Sequence, residues 1–174
     1  MAKLSARGQK WLKCLHIYSA SMWVGCATIL VVMQFVIQPE SGRELYGILA
    51  TLDFIDLCIL VPGAIGTLLT ALVYSIWTNW GWFRHNWIIV KWIICIFGTV
   101  LGTFWLGSWL SGMAHIADSK GIEALTDPLY VSHQHHSMVF GIIQAGSIIL
   151  ALFISTLKPW RKKKWEGVKS SFDV

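Results

Sequence analysis

The sequence of 174 residues is poor in charged side chains. Asp, Glu, Lys and Arg make up only 13% of it, whereas soluble domains carry about 25%. Hydrophobic residues make up 55% of the chain, and it contains 11 tryptophans. This composition argues against a soluble globular domain. Charged residues are missing altogether from four long runs, which are Cys14–Pro39, Leu57–Phe83, Trp92–Ala117 and Pro128–Leu157.

Each charge-free run is long enough to cross a membrane as a helix, because about 20 apolar residues span about 30 Å of hydrocarbon. The first run is too long and too rich in tryptophan for a cleaved signal peptide. The sequence therefore predicts an all-α, integral membrane four-helix bundle, with two outer connections of about 18 residues each. The predicted spans are Lys10–Ile37, Asp56–Trp77, Asn86–His115 and Gln134–Leu157.

The sequence also lacks the features that would divide the chain or cross-link it. We find no linker, no low-complexity tract and no internal repeat, so residues 1–174 are predicted to form a single transmembrane domain. No two cysteines form a C-x-x-C pair, and buried cysteine usually behaves as a small hydrophobic residue. We therefore expect no disulfide. The cysteines are Cys14, Cys26, Cys58 and Cys95.

Basic residues predict the orientation, because cytoplasmic segments of membrane proteins carry an excess of Lys and Arg. The two termini are basic, whereas acidic residues outnumber basic ones in the two outer connections. Both termini are thus predicted to be cytoplasmic, in a bacterial inner membrane, with membrane lipid as the first partner. The basic tail suits anionic lipid, and nothing in the chain resembles a nucleic-acid-binding module. The basic residues of the termini are Lys3, Arg7, Lys10, Lys13, Lys158, Arg161, Lys162, Lys163, Lys164 and Lys169.

Two ionisable residues, His16 and Lys91, lie in apolar segments and are predicted to share one membrane depth. Each lies about ten residues before the middle of its span, and the two spans are parallel in this topology. At 1.5 Å per residue, both lie about 15 Å from the bilayer centre. Ionisable residues at this depth are costly and often functional. Lys91 could extend to the headgroups and His16 could bond a neighbouring helix, or the two could bind a haem iron between them.

Small residues accompany this pair at helical spacing. Ala20 and Trp23 share a face with His16 in the first span, and Gly98 and Gly102 follow Lys91 in the third. A Gly-x-x-x-Gly stripe lets a helix or a planar ring approach the backbone closely. These residues are candidate contacts of a haem ring, and the same stripe would also permit a homo-oligomer.

The motifs at these positions resemble a known group of small membrane proteins. The segment Trp11-Leu-Lys-Cys-Leu-His16-Ile, followed by Trp23-Val-Gly25, resembles the opening shared by HemJ-type protoporphyrinogen oxidases, CopD-like copper-resistance domains and the DUF2269 family. Pro62-Gly63, Thr67-Leu-Leu-Thr and Asn86-Trp-Ile-Ile-Val-Lys91 are similar to the P-G, L-T and W-x-x-x-K pattern of the HemJ-type proteins. This resemblance covers roughly residues 11–103. It implies a four-helix membrane protein in which His16 and Lys91 are the axial ligands of haem b.

A second group of histidines is predicted on the outer side. His115 ends the third predicted span, and the segment His133-Gln-His135-His136 opens the fourth. His133 and His136 share a helical face, while His135 points elsewhere. Three interpretations are open. The residues could bind zinc or copper with a carboxylate, His115 and His136 could hold a second haem, or all could form a polar helix junction.

Three other polar residues stand out in the predicted spans. Asp53 and Asp56 precede or open the second span at the level of the outer histidines. Gln144, in the middle of the fourth span, is expected to hydrogen-bond another helix. His85, in the inner connection, is expected to be an interfacial residue.

The sequence as a whole predicts a haem b-binding integral membrane protein that handles electrons, with a quinone as the expected redox partner. One alternative is oxidation of protoporphyrinogen IX, in which a tetrapyrrole is the substrate of a membrane oxidoreductase. Another is the handling of copper or a different metal through the outer histidines. A last alternative is a membrane scaffold without a cofactor.

Overall fold

The computed structural model describes residues 4–77 and 86–157, and within these ranges the chain is helical with no strand. The helices join end to end into four continuous rods, which we call the first to fourth membrane helices: Ala6–Val36, Gly42–Trp77, Trp87–Thr126 and Pro128–Leu157. Their component segments are α1 (Ala6–Val36), α2 (Gly42–Ile55), a first π-helical segment (Asp56–Leu60), α3 (Val61–Trp77), α4 (Asn86–Leu101), a second π-helical segment (Gly102–Leu106), α5 (Gly107–Lys120), a 3₁₀ segment (Gly121–Thr126) and α6 (Pro128–Leu157).

All four rods are long and apolar enough to cross a membrane. Large apolar side chains such as Phe35, Phe104 and Phe153 point outward and are more than half exposed, which is what contact with lipid requires. The prediction of an all-α chain with four helices long and apolar enough to cross a membrane is confirmed. We call the end of the bundle that holds residues 6 and 157 the proximal end, and the end that holds residues 37–41 and 121–127 the distal end.

The second membrane helix begins at Gly42, so the predicted start at Asp56 is wrong. The residues before Asp56 form α2, which packs an apolar face of Leu45, Leu49 and Leu52 inward. Ser41 caps this helix by accepting a hydrogen bond from the backbone N–H of Glu44. A serine followed three residues later by glutamate is a known start signal. A search for charge-free runs could not find α2, because the helix carries charged residues on its outer face.

The fourth membrane helix also begins earlier than predicted, at Pro128 rather than Gln134. Asp127 precedes it and accepts hydrogen bonds from the backbone N–H groups of Leu129 and Tyr130, while proline suits the first helical position. Within the third membrane helix, α5 likewise continues past His115 to Lys120. The α-helix ends at Gly121, whose φ of 59° favours glycine, and the 3₁₀ segment follows. The predicted outer connections of about 18 residues are therefore largely helical, and only the short segments 37–41 and 127 lie between the rods.

Asp127 also forms an ion pair with Lys120 across the distal connection. The hydrogen bond from Lys120, together with those from the backbone N–H groups of Tyr130 and Leu129, lowers the pKa of Asp127. Because the pKa of Asp127 is lowered, its interactions stabilise the folded protein above the pKa of an unfolded aspartate, and this stabilisation is lost as the pH falls through the folded pKa. The ion pair itself joins the end of α5 to the start of α6.

The helices pack around two clusters of buried side chains. The distal cluster joins α2 to α5 and includes Leu49, Met113 and Tyr130. The central cluster joins α1 to the second and fourth membrane helices and includes Trp23, only 1% exposed, and Ala64. The proximal ends of α1, α3, α4 and α6 lie outside both clusters. Hydrogen bonds between polar side chains connect these ends.

Glycines permit the closest backbone approach at the distal end. A Cβ atom added to Gly42 would lie 2.6 Å from the Cα atom of Gly121 and 2.7 Å from the backbone nitrogen of Ile122. Backbone atoms of this kind cannot rotate away. The start of α2 and the end of α5 therefore pack together only because position 42 has no side chain.

We predict that Gly42→Ala lowers the thermal unfolding midpoint of the purified protein, because the new methyl group forces α2 away from the 3₁₀ segment. Gly47→Ala, in the same helix, is the matched control: its Cβ would meet nothing within 4 Å, and alanine is favoured over glycine in a helix by about 1 kcal/mol. Gly47→Ala should leave the midpoint unchanged or raise it. Equal midpoints for the two variants would contradict the close approach.

Candidate functional site

His16 and Lys91 lie in the proximal half of the bundle, on α1 and α4. Both are half-buried, and the charge of Lys91 acts on the His16 imidazole through space. The two residues contact different neighbours. His16 packs against α3, where the ring of Tyr74 meets it edge-on with centroids 5.9 Å apart, whereas Lys91 reaches α6. The structure thus brings four helices together around this pair.

The hydrogen bonds of Thr70 determine the tautomer of His16. The Thr70 hydroxyl is 2.6 Å from the carbonyl oxygen of Gly66 and 3.0 Å from that of Thr67. A carbonyl only accepts, so the single hydroxyl proton is used there. At His16 Nδ1, 2.8 Å away, the hydroxyl oxygen must then accept. Nδ1 therefore carries the proton and, in the neutral ring, Nε2 carries a lone pair.

Lys91 is held by polar and aromatic neighbours at the same level. Its Nζ donates a hydrogen bond to the Ser155 hydroxyl over 3.0 Å, joining α4 to α6. The same nitrogen lies 5.6 Å from the centroid of the Trp87 ring, within the range of a cation–π interaction. These contacts hold the end of a long, half-buried side chain between α4 and α6.

The small residues next to the pair are covered by protein side chains. A Cβ on Gly98 would lie 3.3 Å from Cζ2 of Trp23, and a Cβ on Gly102 would lie 2.7 Å from Nε2 of Gln144. Ala20, which lies one helical turn before Trp23 in α1, is half-buried. The Gly98–Gly102 stripe thus faces the inside of the bundle and offers no open surface to a second copy of the chain.

Gln144 bonds across the bundle as the sequence predicts. Its Nε2 donates to the Gly98 carbonyl over 2.7 Å, from α6 to α4. The residue is 4% exposed, and a buried amide without such a partner would be costly. Gln144 and Trp23 together close the middle of the bundle.

These contacts suit one part of a haem site, the histidine ligand, but not the other, the space for the ring. A ligating histidine usually donates its second ring N–H to a nearby oxygen, and His16 does so to Thr70. The lone pair on His16 Nε2 is therefore of the kind that a haem iron binds. The Gly98–Gly102 stripe does not fit the macrocycle in this conformation, because Trp23 and Gln144 fill it. The roles of Ala20, Trp23 and the two glycines as ring contacts stay predictions.

The distal histidines do not all meet. The ring of His133 packs over Gly112 of α5, with Nδ1 2.8 Å from where a Cβ would be, and this buried nitrogen has no hydrogen-bond partner. His136 packs against Trp109 of α5, with ring centroids 5.3 Å apart, and its Nδ1 donates to the carbonyl of Ser132. His115 is exposed.

No three His, Cys, Asp or Glu side chains within residues 4–77 and 86–157 converge as a metal site. His135 is also exposed, and its ring lies 6.0 Å from that of His136. Binding of a metal or of a second haem by His115, His133 and His136 stays a prediction. All four cysteines are free, and His85 lies outside the described residues.

The structure adds residues that the sequence reasoning missed. Thr70 bonds His16 and Ser155 bonds Lys91. Both partners lie on other helices, so they can be predicted only when the relative register of those helices is known. Asp56 is only 6% exposed, although the sequence placed it at the outer edge of a span. The serine at position 41 could have revealed its true depth, because that cap adds fourteen residues of helix before Asp56.

We predict that Gly102→Ala destabilises the protein and breaks the Gln144 hydrogen bond, because the added methyl group would lie 2.7 Å from Nε2. Gly146→Ala, on α6, is the control, since its Cβ would meet nothing within 4 Å. Thermal unfolding in detergent should show a lower midpoint for Gly102→Ala alone. A midpoint equal to that of Gly146→Ala would mean that Gln144 does not fill the stripe.

Comparison with known proteins gives no match for this chain. No family model matches it. No curated protein and no solved structure matches it either. The resemblance to HemJ-type, CopD-like and DUF2269 proteins rests on the motifs quoted above and stays a prediction.

Proposed function

We propose that this chain is a haem b-binding membrane protein that transfers electrons, with His16 Nε2 and Lys91 Nζ as the axial ligands. The observation that carries the proposal is the hydrogen bond between His16 Nδ1 and Thr70. It leaves Nε2 as a lone-pair donor and holds the ring in one orientation. Histidines that bind a metal through one ring nitrogen usually donate the other ring N–H to a nearby oxygen. An ionisable residue within a membrane span is also often functional.

Lys91 supports the proposal through its position. A lysine at the edge of a membrane span usually extends toward the headgroups. Nζ donates a hydrogen bond to Ser155 near the end of α6, and Lys91 lies within electrostatic range of His16. Lysine binds iron only through its neutral amine, and the hydrogen bond to Ser155 determines where that amine lies.

A bound haem would supply a one-electron carrier whose potential depends on its axial ligands and its burial. The chain's own residues would orient the ligands through Thr70 and Ser155. Trp23 and Gln144 would bound the site on its distal side. A membrane quinone is the proposed redox partner, because an apolar carrier can reach a site enclosed by apolar helices from the lipid.

We also propose that the proximal end faces the cytoplasm of a bacterial cell, at the inner membrane. Arg7, Lys10 and Lys13 lie in the first turns of α1, and the segment after α6 is rich in lysine. The distal end carries mainly acidic residues, among them Glu40 and Glu44. This asymmetry follows the excess of basic residues on cytoplasmic sides.

The first experiment is a reduced-minus-oxidised absorption spectrum of the detergent-purified protein, with the haem per chain measured as the pyridine haemochrome. We expect about one haem per chain and loss of the Soret band in the double variant His16→Ala, Lys91→Ala. His135→Ala, which removes an exposed distal histidine, is the control and should keep the haem. A protein without haem after expression with ample haem would contradict the proposal. Two haems per chain would bring His115 and His136 into ligation.

A second variant tests the hydrogen bond itself. Thr70→Val keeps the side-chain shape but removes the acceptor of the His16 N–H, and loss of such an outer partner typically weakens ligand binding by about 10-fold to 100-fold. Thr28→Val is the matched control, because Thr28 bonds only the carbonyl of Val24 in its own helix. We expect weaker haem retention and a shifted reduction potential in Thr70→Val alone. Identical spectra and potentials in both variants would show that Thr70 does not hold a ligand.

A further inference from the structure

A narrow cavity of about 110 Å³ lies in the distal half of the bundle, between the first, second, third and fourth membrane helices. Its wall runs from Ala27 to Gln34 and beyond on the first helix, and from Gln144 to Tyr130 on the fourth. Fourteen residues of helix correspond to about 20 Å, so the cavity is long and thin. It has room for water molecules or a small ion.

Asp56 lies in the wall of this cavity. Its side chain is 6% exposed, and none of the described residues donates a hydrogen bond to its carboxylate. Gly107 lies opposite, where an added Cβ would be 3.3 Å from Oδ2 of Asp56. Buried carboxylates are almost always paired or hydrogen-bonded, because isolated burial is costly. The position of Asp56 therefore requires a partner.

Two π-helical segments meet at this carboxylate. Asp56 begins the first segment, Asp56–Leu60, and Gly107 directly follows the second, Gly102–Leu106. Single π-helical turns within α-helices occur often at functional sites. Here the carboxylate of Asp56 faces the backbone at Gly107, which has no side chain, inside an apolar bundle.

Two amides in the wall also present acceptors. Gln34 donates through Nε2 to the carbonyl of Leu30, and Gln144 donates through Nε2 to that of Gly98. Since a carbonyl cannot donate, these bonds fix the amide nitrogens and leave both Oε1 atoms as acceptors. Oε1 of Gln34 is buried and has no hydrogen-bond partner. The cavity therefore combines a carboxylate with an unsatisfied amide oxygen, and among residues 4–77 and 86–157 no lysine, arginine or histidine lines it.

We propose that the cavity binds a monovalent metal cation, which pairs with the carboxylate of Asp56 and enters from the distal end. Oxygen-only ligands suit a hard cation rather than a transition metal. The single carboxylate in the wall matches one positive charge. Asp53 lies one turn earlier and accepts a hydrogen bond from Ser111 over 2.6 Å. It does not line the cavity, so it adds attraction without becoming a ligand.

This site is separate from the proposed haem site. Gln144 and Trp23 close the middle of the bundle between the two, and no residue that holds His16 or Lys91 lines the cavity. The proposal of a cation site therefore does not rest on haem binding. Either could fail without the other.

The test is equilibrium binding of radiolabelled Na⁺ to the detergent-purified full chain, at constant ionic strength maintained with choline chloride. We expect saturable binding of about one ion per chain, with unlabelled Na⁺ and K⁺ as competitors that identify the preferred cation. Asp56→Asn should weaken binding by about 100-fold, since it removes the charged partner of a buried ion. Glu44→Gln is the matched control. It makes the same kind of change on the same membrane helix, at an exposed position outside the cavity.

Gln34→Leu should weaken binding by about 10-fold, because it removes a neutral oxygen without changing the charge. If Asp56→Asn does not fold, Gly107→Ala replaces it, since the added methyl group would crowd Oδ2; Gly146→Ala is its control. Absence of saturable binding of labelled Na⁺, together with no binding of labelled Rb⁺ as a probe for K⁺, would overturn the proposal and leave a protonated Asp56. Binding that is as tight in Asp56→Asn as in the unchanged chain would overturn it as well.

Discussion

The packing of Trp23 in the middle of the bundle is the constraint on which the other features depend. Its side chain is 1% exposed and covers Gly98 on α4, while its backbone nitrogen would lie 3.0 Å from a Cβ on Gly63. A large indole and two glycines can pack this closely only if the first helix lies directly against the second and third. Four apolar helices gain little from the hydrophobic effect inside lipid, so such close packing is what holds them together. It also separates the proximal pair from the distal cavity.

Polar side chains in this bundle divide into two kinds. Several hydroxyl groups bond the carbonyl one turn earlier in their own helix, as Thr28, Thr51 and Ser108 do, and these carry no information about neighbouring helices. A smaller set bonds across helices. Its members join α1 to α3, α4 to α6, α5 to α2 and α6 to α4, and they include His16–Thr70, Lys91–Ser155, Ser111–Asp53 and Gln144–Gly98. Because an unsatisfied polar group is costly in an apolar interior, this set fixes the register of the helices.

The two proposed sites use these polar groups differently. At the proximal pair His16 Nδ1 and Lys91 Nζ each have a protein partner, and the hydrogen bonds leave the lone pair of His16 Nε2 available to a metal ion. At the distal cavity no residue that the structure describes donates a hydrogen bond to the carboxylate of Asp56 or to Oε1 of Gln34. The first arrangement orients a ligand, and the second attracts a charge. Both arrangements lie between helices that are far apart in the sequence.

The sequence by itself determined the four charge-free runs and the all-helical class, since lipid excludes charge from any segment that crosses it, and it indicated that Gln144 bonds another helix. It did not determine the true ends of the second, third and fourth membrane helices. Their caps at Ser41, Gly121 and Asp127 lie in polar segments that a search for hydrophobic runs passes over. Only the tertiary structure showed that Trp23 and Gln144 fill the glycine stripe and that Asp56 is buried with no hydrogen-bond donor among the described residues. Such facts depend on the rotation and register of neighbouring helices, which are set by packing across the bundle and are not encoded in any single segment.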